Sequence, residues 1–192
     1  MLDLDTVGAQ APGSTTRLNT QPVPKYCAQG AAGLRVSEDS LGSLDLGMNL
    51  RSLRASCPAA SDTVWPGEND VYPAVVFRFD GLNAIAVQYR DSLLPNEPAE
   101  TWFISGANGV ILGRLPLNAS WGEVQRLFGA GIADGADGLI VMFCEHRRLL
   151  FELDASPDSV TPDRPADLSR IPSGARIKQL IVFHEINPTW HC

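Results

Sequence analysis

Residues 41–50 read LGSLDLGMNL, and residues 112–121 read LGRLPLNASW. The two stretches lie 71 positions apart in a chain of 192 residues. Four positions hold the same residue in both stretches: Leu41 and Leu112, Gly42 and Gly113, Leu44 and Leu115, Leu46 and Leu117. A self-match at a fixed offset indicates duplication of one supersecondary unit.

Both stretches predict the same local structure, a short extended segment followed by a short helix. Leucines alternate with polar or small neighbours, and apolar residues then recur at the spacing of a helix. Ser120 and Glu123 have the spacing of a capping box, and Asn49 takes the N-cap place in the first copy. Pro58 and Gly129 are typical of helix ends. Helices this short need a sheet to pack on.

The sequence after each helix predicts antiparallel strands. Asp80-Gly81 favours a tight turn between the first two strands, and residues 146–148 are predicted to form the turn of a second hairpin. Residues 129–138, GAGIADGADG, predict a flexible connector. The predicted strands cover residues 74–79, 84–89, 102–104, 139–144, 149–153 and 177–183.

These patterns together predict an α+β fold with two tandem repeats, each a short helix packed on an antiparallel sheet. Residues 1–26 are rich in Thr, Pro, Gly, Gln and Asn, which predicts a flexible N-terminal segment. The first module then covers residues 27–105 and the second covers residues 106–192. Within the second module, residues 155–175 contain four prolines and are predicted to form an inserted surface loop.

Composition limits the function classes. The chain has 44% hydrophobic and 19% charged residues, which is globular, and its apolar runs are strand-sized, so we expect no membrane span. With 15 basic and 22 acidic side chains, the net charge is −7 and the arginines are scattered. A nucleic-acid partner is therefore not expected.

Four widely spaced cysteines, Cys27, Cys57, Cys144 and Cys192, are disulfide candidates with three possible pairings. The alternative is that Cys57 and Cys144 are buried small hydrophobic residues. The N-terminus MLDLDTVGAQ has neither the basic nor the apolar region of a signal peptide. We expect a periplasmic or extracellular protein whose leader is absent from this sequence, and the alternative is a cytoplasmic protein.

Residues 44–53, LDLGMNLRSL, precede a predicted hairpin. This arrangement resembles the helix-then-sheet modules of SmpA/BamE-like outer-membrane assembly lipoproteins and of the β-lactamase-inhibitor-like group, and the tandem arrangement is similar to the latter. Residues 53–58, LRASCP, resemble a helix end in uncharacterised exported bacterial proteins. The second copy has Asn118 and Ala119 where the pattern expects Gly-Met. The resemblance implies a non-enzymatic, exported binding or assembly role.

An enzymatic alternative depends on Cys144, His146 and His184. Cys144 and His146 would share one face of a strand, and His184 follows a strand that could lie beside it. The three could form a zinc site, or an imidazole could activate the thiol as a nucleophile. The thiol mechanism fails if Cys144 is in a disulfide. No established catalytic or metal motif is present, so the sequence predicts no catalytic residue, metal or cofactor.

Trp65 and Tyr72 are the candidate binding residues. They bracket the polar residues 66–70, and aromatic side chains in a polar loop suit a contact surface. Trp121, by contrast, aligns with Leu50 of the first copy and is predicted to lie in the core. The leading hypothesis is a non-catalytic, exported protein-binding or envelope-assembly module. Its partner would be another protein, and the oligomeric state stays open.

Overall fold

The computed structural model describes residues 26–27, 34–129, 131–134, 138–156 and 168–186. Within these ranges the fold is α+β, with two helices and two sheets, and most of the regular structure is strand. The helices are α1 (Leu50–Ser56) and α2 (Trp121–Phe128), with a 3₁₀ helix at Leu168–Arg170. The strands are β1 (Leu34–Val36), β2 (Ser40–Leu41), β3 (Leu44–Asp45), β4 (Ser61–Pro66), β5 (Val71–Phe79), β6 (Leu82–Val87), β7 (Thr101–Gly106), β8 (Gly109–Ile111), β9 (Leu115–Pro116), β10 (Ile132–Asp134), β11 (Leu139–Phe143), β12 (His146–Leu153) and β13 (Ile177–Phe183).

The larger sheet is antiparallel throughout and has the order β10-β11-β12-β13-β7-β6-β5-β4. Two runs of four consecutive strands, β4 to β7 and β10 to β13, meet at its centre. There Ile104 of β7 lies opposite Leu180 of β13, and Thr101 lies opposite Phe183. Both halves of the chain therefore build one continuous sheet, whereas the sequence predicted a separate sheet in each repeat.

The smaller sheet has the order β3-β2-β1-β8-β9. Its central pair, β1 and β8, is parallel, with Leu34 opposite Gly109 and Val36 opposite Ile111. This pairing joins the two segments that were predicted to be separate modules. The sequence predicted only antiparallel sheets, so the parallel pair was not expected. Strands of two or three residues carry too little periodic signal to be recognised from sequence.

The matched stretches of sequence form two similar hairpins, β2–β3 and β8–β9. In the first, Leu41 lies opposite Leu44, and in the second Ile111 lies opposite Leu115. The structural counterpart of Leu41 is therefore Ile111, whereas the sequence alignment matched Leu41 with Leu112, one residue later. The second turn is one residue longer than the first. Because of this extra residue, Leu44 and the residues after it match the second copy at the full offset of 71 positions.

Glycine serves the same purpose in both of these turns. Gly42 has φ of 62° and Gly113 has φ of 69°, in the left-handed region that a residue without Cβ enters freely. Leu112, beside Gly113, also has a positive φ of 48°, the only such non-glycine residue in the described part of the chain. The longer second turn therefore places a leucine in a conformation that is unfavourable for its side chain.

The predicted helix starts are confirmed. Asn49 caps α1, because its side-chain oxygen accepts a hydrogen bond of 2.9 Å from the Ser52 backbone N–H. At α2 the Glu123 carboxylate accepts from both the backbone N–H and the hydroxyl of Ser120, each at 2.8 Å. These bonds satisfy donors that a short helix leaves without intrahelical partners.

The main core lies between one face of the large sheet, here called the first face, and both helices with the small sheet. Trp121 of α2 is fully buried and packs near Phe143, with ring centroids 6.4 Å apart, so its predicted place in the core is confirmed. Trp102 is equally buried and contacts Phe77 at 5.3 Å. The contact of Trp121 with Phe143 holds α2 against the sheet, and the contact of Trp102 with Phe77 joins two strands of the sheet.

Two predicted loops contain ordered structure. Ile171 and Ala175 are buried in the main core, so the end of the predicted surface loop 155–175 is wrong, although residues 157–167 lie outside the described residues. Within the predicted connector 129–138, residues 132–134 form the edge strand β10. Proline and glycine content marks irregular backbone, but it does not exclude burial of the apolar residues between them.

Two further predictions concern positions at the margins of the elements. The second hairpin turns at residues 144–145, and the residues 146–148 that were predicted to form the turn belong to β12. Of the N-terminal segment predicted as flexible, residues 1–25 lie outside the described residues.

No helix of the described ranges is long and apolar enough to cross a membrane.

Candidate binding groove

The face of the large sheet opposite the main core, here called the second face, is also apolar. One residue from each of seven adjacent strands forms a cross-strand row, here called the apolar row. Antiparallel sheets with one face on the core commonly present polar residues on the other. This second face is an exception, and it forms a separate hydrophobic cluster. The row consists of Val76, Ile85, Phe103, Ile181, Leu150, Met142 and Ile132.

The tip of the β4–β5 hairpin folds over this second face. Trp65 of β4 stacks on Phe103 of β7, with ring centroids 3.8 Å apart and planes inclined by 16°. In sheet order β5 and β6 separate β4 from β7, and three strand spacings correspond to about 14 Å in a flat sheet. The hairpin must therefore curl across the sheet to bring Trp65 onto Phe103. We call residues 64–72 the flap.

Tyr72 is the second aromatic residue of the flap. It lies opposite Trp65 in the hairpin register, and its ring is nearly perpendicular to that of Tyr89, with ring centroids 5.0 Å apart. The flap turn is packed closely against it, because a Cβ atom on Gly67 would lie 2.6 Å from Cε2 of Tyr72. As the sequence predicted, Trp65 and Tyr72 bracket a polar loop, which covers residues 67–70. The two aromatic residues themselves are paired strand residues on either side of it.

Beneath the flap is a cavity of about 810 Å³, here called the aromatic cavity. Its volume lies within the range of small-molecule pockets. Its polar floor is the Glu152 carboxylate, which is 8% exposed and accepts hydrogen bonds from Lys178 and Gln179. Its apolar lining includes Trp65, Tyr72, Tyr89, Phe103, Ile181 and Phe183.

A second cavity of about 640 Å³, the acidic cavity, adjoins the first and shares Tyr89 and Phe183 with it. Its lining includes three carboxylates, those of Glu97, Glu100 and Glu185. Arg90 forms ion pairs with two of them, at 3.2 Å to Glu97 and 3.0 Å to Glu100. We call the two cavities together the groove. It runs along the second face from an aromatic end to an acidic end.

Tyr89 stands where the two cavities join. Burial raises the pKa of its hydroxyl, a hydrogen bond with the Thr101 side chain lowers it, and the Glu100 carboxylate raises it further. The Tyr89 hydroxyl is therefore protonated at neutral pH, and it can donate a hydrogen bond to a group in either cavity.

Thr101 and His184 both belong to the lining of the acidic cavity. Thr101 is 1% exposed and lies on the second face, where its side chain forms a hydrogen bond with Tyr89. The His184 backbone N–H donates to the Glu100 carbonyl at 2.9 Å. The His184 imidazole lies beside the segment between β3 and α1, because a Cβ atom on Gly47 would be 3.8 Å from its Cε1.

The residues of the enzymatic alternative have separate surroundings. Cys144 is disulfide-bonded and exposed, so the thiol that a nucleophilic mechanism requires is absent in this state. His146 places Nδ1 3.5 Å from the Glu38 carboxylate, whereas His184 lines the acidic cavity. In the ranges that the structure describes, no group of three His, Cys, Asp or Glu side chains is placed to hold a metal ion.

The structure gives the pairing of two of the four candidate cysteines. Cys27 and Cys57 form a disulfide with Cα atoms 4.8 Å apart, and both are buried. Cys57 is therefore not an unpaired core thiol. The bond attaches the chain before β1 to the end of α1. Cys192, the fourth cysteine, lies outside the described residues.

Comparison with known proteins shows only a likeness of fold. The chain is similar to the structure described as the uncharacterised protein yfeY from Escherichia coli, with a TM-score of 0.53 and 8% identity. The similarity covers 78% of this chain and 99% of that one. No protein-family model matches the sequence, and a search of curated proteins gives no match.

Proposed function

We propose that this protein is a non-catalytic, exported binding module that holds a segment of another protein in the groove. The observation that carries the proposal is the stacking of Trp65 on Phe103 across an apolar sheet face, with a cavity of about 810 Å³ beneath the flap. Tryptophan and tyrosine are the side chains that most often dominate binding energy at protein interfaces.

The shape of the groove favours an extended segment. Its two cavities adjoin and share Tyr89 and Phe183 in their linings, so together they extend further than a pocket for a single side chain. Phe103 and Ile181 of the apolar row supply a preformed apolar floor, and the flap supplies an aromatic roof. A partner that filled this space would remove apolar surface from water, which is the main favourable term in association.

Export is supported by the disulfides. The Cys27–Cys57 bond and the disulfide-bonded state of Cys144 are typical of proteins that mature in an oxidising compartment. We therefore place the protein in the periplasm or outside the cell, in agreement with its resemblance to exported assembly modules.

The proposed origin of the scaffold is duplication of one unit. Each half of the chain contains a short hairpin, a capped helix and a run of four strands, in that order. The two runs enter the large sheet in mirrored order and meet at β7 and β13. The groove lies across that junction, because Phe103 of β7 and Ile181 of β13 are neighbours in the apolar row. A duplicated scaffold of this kind would build its binding site from both copies.

The test is affinity capture from an extract of exported proteins of the source organism. Trp65→Ala and Tyr72→Ala should each reduce recovery of a specific partner at least about tenfold, the effect expected of interface hot spots. Val64→Ala is the matched control, because Val64 is 63% exposed and points away from the second face on the same strand. Circular dichroism should show that all three variants are folded. Equal recovery by wild type and Trp65→Ala would contradict the proposal.

A further inference from the structure

We infer that the groove selects a partner segment in which a lysine or arginine lies next to aromatic or aliphatic side chains, and that the cation enters the acidic cavity. The inference rests on the proposed function and specifies the chemistry of the ligand at the same site. Three features of the groove carry it: its charge, the carboxylates of the acidic cavity, and the adjacency of its two cavities.

The groove is negatively charged as a whole. Its lining contains five carboxylates, and the basic side chains among the same residues are Arg90 and Lys178, which leaves a net charge of −3 with His184 neutral. Lys178 is paired with Glu152 on the floor of the aromatic cavity, so the excess lies at the rim and in the acidic cavity. A basic segment is attracted to such a surface, and an acidic one is repelled.

The acidic cavity offers hydrogen-bond acceptors to a cation. Its lining contains the carboxylates of Glu97, Glu100 and Glu185, and Arg90 pairs with the first two. Lysine and arginine side chains carry donors only, three and five respectively. Glu185 forms no ion pair within the described residues, so a cation that enters this cavity would be its partner.

The two adjoining cavities require two kinds of side chain in the ligand. Tyr89 belongs to both cavities, and its ring is available for a cation–π contact with a charge in the acidic cavity. An apolar side chain from a neighbouring position of the same segment would then enter the aromatic cavity beside the stacked rings of Trp65 and Phe103. Recognition therefore requires both properties in one segment, and neither a purely apolar nor a purely basic segment would fill the groove.

The test uses two capped eight-residue peptides, one alternating leucine and lysine and the other alternating leucine and glutamate, with binding to the full chain measured by calorimetry. We expect the lysine peptide to bind at least about tenfold more tightly, and the preference to shrink as salt increases. Glu185→Lys should remove most of that preference. Glu145→Lys is the matched control, because Glu145 is also an exposed glutamate and does not line the groove.

The outcomes separate this inference from the proposed function. Equal binding of both peptides, each weakened by Trp65→Ala, would overturn the cationic preference and leave the groove as a binding site. Absence of binding by either peptide would also overturn the inference, and the capture experiment would still decide the proposed function. A preference that Glu185→Lys and Glu145→Lys reduce equally would show a general charge effect and would also refute the inference.

Discussion

The Cys27–Cys57 disulfide should provide a large part of the stability of the fold. It closes a loop with a sequence separation of 30 residues, for which the loss of chain entropy in the unfolded state corresponds to about 3.5 to 4 kcal/mol. Both cysteines are buried, and replacing each with alanine removes a sulfur atom worth about 0.8 kcal/mol of apolar burial, taking sulfur as equivalent to a methylene group. The double variant Cys27→Ala/Cys57→Ala should therefore lose about 5 kcal/mol.

Urea unfolding under oxidising conditions, monitored by circular dichroism, measures this loss while the Cys144 disulfide stays intact. The single variant Cys27→Ala is the control, because it removes the cross-link and only one sulfur atom. It should lose almost as much free energy of unfolding as the double variant. A loss of about 1.5 kcal/mol or less in the double variant would equal the packing contribution alone and would refute the reasoning.

Three further predictions concern the flap, the second helix cap and the groove. Gly67→Ala should displace the Tyr72 ring and destabilise the protein by about 1 to 3 kcal/mol in urea unfolding, and no change would show that the flap turn is loosely packed. Hydrogen bonds from the Ser120 backbone and hydroxyl lower the pKa of Glu123 from 4.5. The ionised Glu123 carboxylate therefore stabilises the fold at any pH above its pKa in the unfolded chain. This stabilisation is lost as the pH falls through the lower pKa that Glu123 has in the folded protein. Glu123→Gln should melt below wild type at pH 7 and converge with it in acid, whereas a constant difference would contradict the assignment. Ultraviolet titration should show Tyr89 ionising above pH 10.0, chiefly because burial raises the pKa of its hydroxyl, and Tyr89→Phe should remove that transition.

Local features of the fold were predictable from the sequence. Asn49 and Ser120 cap helices because their side chains bond the first turn, which depends only on neighbouring residues. The hairpin at Asp80-Gly81 joins β5 and β6 as predicted, and residues 177–183 form β13. Each of these features is specified within a window of a few residues, where periodicity and turn chemistry are informative.

The groove, by contrast, could not be predicted from local sequence patterns. Trp65 and Tyr72 were found because they flank polar residues, but Phe103, on which Trp65 stacks, lies 38 positions further along the chain. Strand β4 was missed because it is an edge strand that ends in proline, with only three inward-facing residues. The acidic cavity depends on the meeting of β7 with β13, and sequence alone does not specify this non-local pairing.

The central claim is that a partner segment lies between the flap and the second face. Its most direct measurement is site-specific photo-crosslinking in the source organism, with the photoreactive residue p-benzoylphenylalanine placed at position 72 or at position 64. Tyr72 faces the groove, and Val64 lies on the opposite side of the same flap and is exposed. We predict a specific cross-linked product from position 72 that is absent from position 64. Equal products from both positions, or a product from position 64 alone, would contradict binding in the groove.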